Sequence, residues 1–170
     1  ADNLTDRLAA LSALVNSAAP DKADWLVRTA REWAHEPLLM NKWYEVQARA
    51  TRMPGEPPVL ERVRTLMRHP GYTLANPNNV YALIRSFCTG NPAEFHRADG
   101  SGYAFWAEQV LALDALNPKV AAHIARALER WRKFTPGLAA AMQAALEQVA
   151  AHDHLSRDVR EVIGKALAQP

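Results

Sequence analysis

The sequence predicts an all-α chain, a right-handed superhelical stack of antiparallel helical hairpins with about nine helices. Three observations carry this. Apolar residues recur at the i, i+3, i+4, i+7 spacing of one helix face along nearly the whole chain. At four places Pro follows Asn or Thr, so that a capping side chain precedes a ring whose missing N–H costs nothing in a first helical turn. Runs that alternate apolar and polar residues, as half-buried strands do, are absent.

Leu4, Leu8, Leu11 and Leu14 make the first stripe, with Asp6, Arg7 and Ser12 on other faces, and give a helix over 4–17. Pro20-Asp21 opens 21–35, and His35-Glu36-Pro37 ends it and opens 38–52. The Pro54-Gly55-Glu56-Pro57-Pro58 cluster forces a break before 58–69, where Val59, Val63, Leu66 and Met67 share a face. Asn76-Pro77 starts 77–88, striped by Val80, Leu83, Ile84 and Phe87, and Asn91-Pro92 starts a short turn of helix over 92–96. A tight turn at Asp99-Gly100-Ser101-Gly102-Tyr103 leads into 102–115. Asn117-Pro118 opens 118–133, with Val120, Ile124, Leu128 and Trp131 inward, and Thr135-Pro136 opens 137–151 with Leu138, Met142, Ala145 and Val149. Ser156 and Asp158 open the last helix, 156–168. Helices of similar length in pairs, with short connections and no fixed-period motif, are the pattern of degenerate HEAT- or armadillo-like repeats.

With 170 residues, 49% hydrophobic and 22% charged, the expectation is one domain, residues 1–170, with a core large enough to need neither disulfides nor a structural metal. The one cysteine, Cys88, has no internal partner, which points to the cytoplasm. A formal charge of +2 is too small for a nucleic-acid footprint. No apolar run reaches the roughly 18 residues of a membrane span, and the first residues show no secretory signal but read like a cut inside a longer protein.

Catalytic chemistry is not assembled from these residues. A zinc-peptidase helix needs two His four residues apart with Glu beside the first, whereas His35-Glu36 is followed by Pro37 and no second His. His152 and His154 flank Asp153 as a solvated connection between helices. Cys88 sits near a helix C-terminus, where the dipole opposes a thiolate. The two glycines of 99–103 lack a preceding strand and the Lys-Ser/Thr of a phosphate cradle. Arg126, Arg130, Arg132 and Lys133 are cations of a last helical turn. The five tryptophans, at 25, 33, 43, 106 and 131, read as core and inter-helix packing, although adjacent Trp43 and Tyr44 must point to different faces and leave one edge at a surface.

Several words in the chain carry a family resemblance: Met40-Asn41-Lys42-Trp43, Asn76-Pro77-Asn78, Gly90-Asn91-Pro92-Ala93-Glu94-Phe95-His96, Asp99-Gly100-Ser101-Gly102-Tyr103, Asn117-Pro118-Lys119-Val120-Ala121 and Leu155-Ser156-Arg157-Asp158-Val159. From Leu4 to Ala168 the chain resembles the C-terminal helical domain of bacterial aminopeptidase N, the alanyl aminopeptidase of the gluzincin zinc peptidases. The resemblance implies a stack of helical hairpins that docks on a thermolysin-like catalytic domain, contacts peptide substrate or product, and narrows access to a buried zinc site. It puts the zinc ligands and catalytic glutamate outside this sequence, so that the fragment itself holds no cofactor and is no enzyme. Two arginines of the family that meet the carboxylate end of a peptide or product align with Tyr81 and His123. Neither is arginine here, so the bidentate fork for a carboxylate is lost, while a phenol donor and an ionisable imidazole remain. From periodicity alone, Tyr81 and His123 border apolar stripes and equally suit helix edges.

Two functional readings follow. One is a non-catalytic domain of a zinc-dependent aminopeptidase that removes N-terminal amino acids from peptides. The other is a free-standing helical-repeat adaptor or nucleic-acid-binding module, against which the near-neutral charge weighs.

Overall fold

A computed structural model describes residues 3–168, and among them every regular element is helical. The chain divides into two compact units, Ala1–Glu94 and Phe95–Pro170. No helix of the described residues is long and apolar enough to cross a membrane.

In the first unit, α1 (Leu4–Val15), α2 (Lys22–Trp33) and α4 (Val59–Leu66) all pack on α3 (Pro37–Ala48). A further helical run begins as α5 (Pro77–Val80), widens into a π-helical segment over Tyr81–Arg85 and ends as α6 (Ser86–Gly90), again against α3. The stripe read from the sequence is fully used, since Val80, Leu83, Ile84 and Phe87 are all solvent-inaccessible. Each such side chain contributes about 1.5–3 kcal/mol by leaving water. Trp43 and Tyr44 are both buried against α3's neighbours, so neither edge of that pair is at the surface. The exposed ring is that of Trp25, at 45% exposure, held by Asp21 and covered by Arg28. The loop after α3 is closed by a partly buried ion pair between the buried Lys22 and the half-buried Glu56, and Lys22 also donates to the Ser17 carbonyl at 2.9 Å. Burial alone raises the Glu56 carboxyl, but Lys22's hydrogen bond, the Met53 N–H and the charges of Lys22 and Arg62 outweigh it and hold the group below its usual range.

The short helix α7 (Pro92–Phe95) precedes α8 (Ser101–Asp114), which packs on α9 (Pro118–Ala125) and α10 (Pro136–Ala150); α11 (Arg157–Ala168) closes the second unit against α9 and α10. Its core includes Phe105, Trp106, Val110, Leu128, Met142, Leu146 and Val159. The predicted turn at 99–103 is present. Asp99 accepts from the Ser101 N–H and hydroxyl at 3.0 and 2.6 Å, and Gly100 takes the left-handed backbone at φ 73°.

The helix expected over 118–133 is shorter. It ends as α-helix at Ala125 and continues as single 3₁₀ turns at Arg126–Leu128 and Trp131–Lys133. The cause is tertiary. Trp131 Nε1 and Arg132 Nη1 both donate to the Ala166 carbonyl, at 3.0 and 2.7 Å, and Arg132 Nη2 donates to Leu167 at 2.8 Å. They satisfy the last carbonyls of α11, which have no partner within their own helix. Trp43 on the Leu26 carbonyl and Trp106 on the Ile124 carbonyl repeat the device, so three of the five tryptophans pack inside and also tie one helix to another's backbone.

Each unit also contains a His–Tyr cluster. In the first, His69 Nδ1 accepts the Gly71 N–H at 3.0 Å and lies 3.1 Å from the Tyr44 hydroxyl, with Trp43 and Tyr72 packed against the Tyr44 ring. In the second, His96 Nδ1 lies 2.7 Å from the Tyr103 hydroxyl, and the imidazole packs on Phe134 at 4.4 Å between centroids. Desolvation lowers the pKa of both histidines and pushes Tyr44 and Tyr103 up to about 12.

Candidate functional site

Tyr81 and His123, the two positions singled out by the resemblance, each line a hollow of their own unit. Tyr81 opens the π-helical segment. The wide turn is closed by Ser86, whose N–H and hydroxyl both donate to the Tyr81 carbonyl, the hydroxyl at 3.2 Å. The Asn76-Pro77 start behaves as read, with Asn76 Oδ1 accepting the Asn78 N–H at 2.9 Å. The half-buried Tyr81 therefore projects one step off a fully buried stripe, into a hollow of about 590 Å³ whose other wall is α3. Asn41, Lys42, Glu45 and Arg49 line that wall, and Asn78 and Arg85 line the near side. Asn79, buried beneath it, donates to Asn41 at 2.8 Å and accepts the Thr73 N–H at 3.0 Å. Glu45 receives two cations at once, Lys42 at 3.0 Å and Arg49 at 3.4 Å.

His123 lies at the exposed edge of α9, whose start is capped by Asn117 Oδ1 on the Val120 N–H at 3.2 Å. It lines a hollow of about 480 Å³ with Lys119 and Arg126 from the α9 side and Asp158, Glu161 and Lys165 from α11. Here the charges balance, because Glu129 completes three carboxylates against three permanent cations. Glu161 is held below its ordinary range chiefly by the hydrogen bond from Lys165 at 2.8 Å.

Sequence reasoning found the two aromatic residues but not their charged neighbours. The signal was present: Lys42, Glu45 and Arg49 fall at i, i+3 and i+7 on and just beyond α3, and Lys119, His123 and Arg126 at i, i+4 and i+7 on and just beyond α9. What the sequence could not supply is which face each stripe meets.

The remaining candidates do not form sites. Cys88 is a buried free thiol whose pKa is pushed up by desolvation, the opposite of an activated nucleophile. His152 and His154 have ring centroids 6.5 Å apart, and no group of three or more His, Cys, Asp or Glu among the described residues could hold a metal ion.

The chain matches over residues 1–168 the family model described as "Domain of unknown function (DUF3458_C) ARM repeats". It is 40% identical over 167 residues to the aminopeptidase N of Caulobacter vibrioides and 40% identical over 168 residues to that of Escherichia coli. These alignments cover 98% and 99% of the chain and 19% of each relative. A crystal structure of Legionella pneumophila aminopeptidase A in complex with aspartic acid is similar at a TM-score of 0.88 and 35% identity, over 98% of this chain and 19% of that one. The chain thus spans about a fifth of the length of the relatives it matches.

Proposed function

The chain belongs to the DUF3458_C ARM-repeat family, and from that premise we propose that residues 1–170 serve as a single non-catalytic helical domain of a larger cytoplasmic zinc aminopeptidase. In this reading the domain docks on the catalytic part of the enzyme and limits access to its site, while that enzyme removes N-terminal amino acids from peptides. The observation that carries it is the end-to-end match to aminopeptidases N of which the chain covers only 19%. In this reading the zinc ligands belong to residues outside this sequence, where the resemblance puts them. Support for the cytoplasm comes from the one cysteine, buried and unpaired.

Tyr81 and His123 contact the carboxylate end of peptide or product, each from its own hollow. The resemblance places them at the family's arginine positions, and both line a hollow rather than a core. A phenol and an imidazole hold a carboxylate less firmly than two guanidinium groups. A charge-assisted hydrogen bond contributes roughly 1.5–3 kcal/mol, so Tyr81→Arg with His123→Arg in the full-length enzyme tightens product inhibition by about tenfold or more. Inhibition constants for a free amino acid, measured at two pH values on either side of a histidine pKa, test this; constants that stay the same remove the role. For the domain itself, the 170-residue chain alone is expected to show no hydrolysis of an alanyl substrate and to bind the separately expressed remainder of the enzyme. Activity in the isolated chain, or no binding, overturns the reading.

A further inference from the structure

We propose that the hollow between α3 and the π-helical segment of the first unit is a docking groove for an acidic peptide segment, recognised through side-chain carboxylates. Among the residues lining it are three permanent cations, Lys42, Arg49 and Arg85, and one carboxylate, Glu45. The whole chain has a formal charge of only +2, so this groove concentrates an excess equal to that of the entire molecule. Glu45 is already shared between Lys42 and Arg49. Arg85, exposed, lines the same hollow, and its guanidinium has no ion-pair or hydrogen-bond partner among the described residues. An arriving carboxylate therefore finds one unneutralised guanidinium and two cations held only by a shared, solvent-exposed pairing, which is weak and exchangeable. Glu45 stays in place as a spacer that keeps Lys42 and Arg49 from collapsing onto one incoming group.

The rim adds a second requirement. Leu38 is 80% exposed and lines the same hollow as the cations. A segment that carries an apolar residue beside its carboxylates covers this leucine while its charges reach the three cations, which a small free anion does not. The second unit makes the contrast: the hollow at His123 has three carboxylates for its three permanent cations and offers no comparable excess. The inference goes beyond the proposed function, because it concerns side-chain carboxylates of a bound segment and not the terminal carboxylate of a product.

The test uses the full 170-residue chain and a fluorescent peptide of repeating leucine-glutamate-glutamate units, blocked at both termini so that no terminal carboxylate exists. Its counterpart has glutamine in place of glutamate. In an anisotropy titration at about 20 mM salt the glutamate peptide binds at least about tenfold more tightly than the glutamine peptide, and the difference shrinks at about 200 mM. Arg85→Glu, a change at an exposed side chain, weakens binding of the glutamate peptide by about tenfold or more, and Arg85→Gln weakens it less. Arg31→Glu, at an exposed position of α2 outside the groove, leaves it unchanged; thermal melts confirm that all variants fold. Equal affinity for the two peptides, or equal effects of Arg31→Glu and Arg85→Glu, overturns the proposal. A positive peptide result together with unchanged product inhibition in the Tyr81→Arg, His123→Arg enzyme leaves the groove standing and removes the terminal-carboxylate role.

Discussion

The two units solve one problem, how to seat a histidine among aromatic rings, in opposite ways. In the first, His69 Nδ1 is a fixed acceptor, because the Gly71 backbone N–H that it receives can only donate. In the second, His96 Nδ1 meets only a hydroxyl, and the Tyr103 O–H can give or take a proton as the ring requires. Tight backbone contact shows the reverse. A Cβ at Gly102 would lie 2.0 Å from the Phe95 carbonyl oxygen, whereas one at Gly71 would meet the Tyr44 hydroxyl at 3.0 Å and the His69 ring at 3.2 Å. The first cluster is strict about protonation and tolerant of bulk; the second is strict about bulk and tolerant of protonation.

The largest expected effect exploits the difference in bulk. Gly102→Ala drives a methyl group into a backbone carbonyl that cannot move without its helix, and costs about 3 kcal/mol or more. Gly71→Ala meets two side chains that can give by a few tenths of an ångström and costs about 1 kcal/mol. Urea unfolding of both variants checks the ratio; equal losses would erase the distinction. Next come the hydroxyls. Tyr103→Phe strips the half-buried His96 Nδ1 of its partner and costs about 1–2 kcal/mol, while Tyr44→Phe leaves His69 its Gly71 bond and costs about 0.5 kcal/mol.

The smallest effect sharpens the contrast in protonation. Both histidines have folded pKa values below the ordinary 6.5 because burial disfavours the charged ring. The unfolded chain therefore takes up protons first as pH falls. The stability contributed by the neutral rings is complete above about pH 6.5 and is lost through the window below it, down to the folded pKa. The two sites should depart in amide exchange, followed by NMR. On acidification the Gly71 N–H loses protection as its acceptor becomes protonated, and the backbone around His96 does not. Parallel loss at both sites would show that the hydroxyl of Tyr103 cannot reverse its role.

Most helix starts were legible because their signals are local. Asn76, Asn117 and Ser156 each cap the turn that follows them in sequence, Ser156 through its hydroxyl on the Val159 N–H at 3.2 Å. Asn91 marks where that logic ends. It precedes Pro92 like the others, yet its amide is buried and donates to the Ala48 and Ala50 carbonyls at 3.0 Å each, satisfying the end of α3 some forty residues earlier. The break after Ala125 and the π turn at Tyr81 go with distant carbonyl acceptors and with a side-chain donor, Ser86, which no periodicity records. Trp25 was misassigned for the same reason: its apolar spacing suits a core, but the neighbouring Asp21 and Arg28 hold it at the surface. At the candidate site, residue identity was readable from motif alignment; the charge surrounding each residue was not, since it comes from a second helix.

The loop between α3 and α4 contains three prolines and a glycine in Pro54-Gly55-Glu56-Pro57-Pro58 and neighbouring exposed positions, the composition of a cleavable connector. Glu56 changes that expectation. Its side chain accepts from Lys22 and from the Met53 N–H, while Thr51 N–H is taken by Asn16 at 2.7 Å, so the segment is fastened at both ends to the α1–α2 corner. A protease needs about ten residues of extended chain, and here it obtains them only after the Lys22 clasp has opened. Limited digestion should therefore spare the stretch that looks most like a linker, and Lys22→Met should convert it into the first site cut.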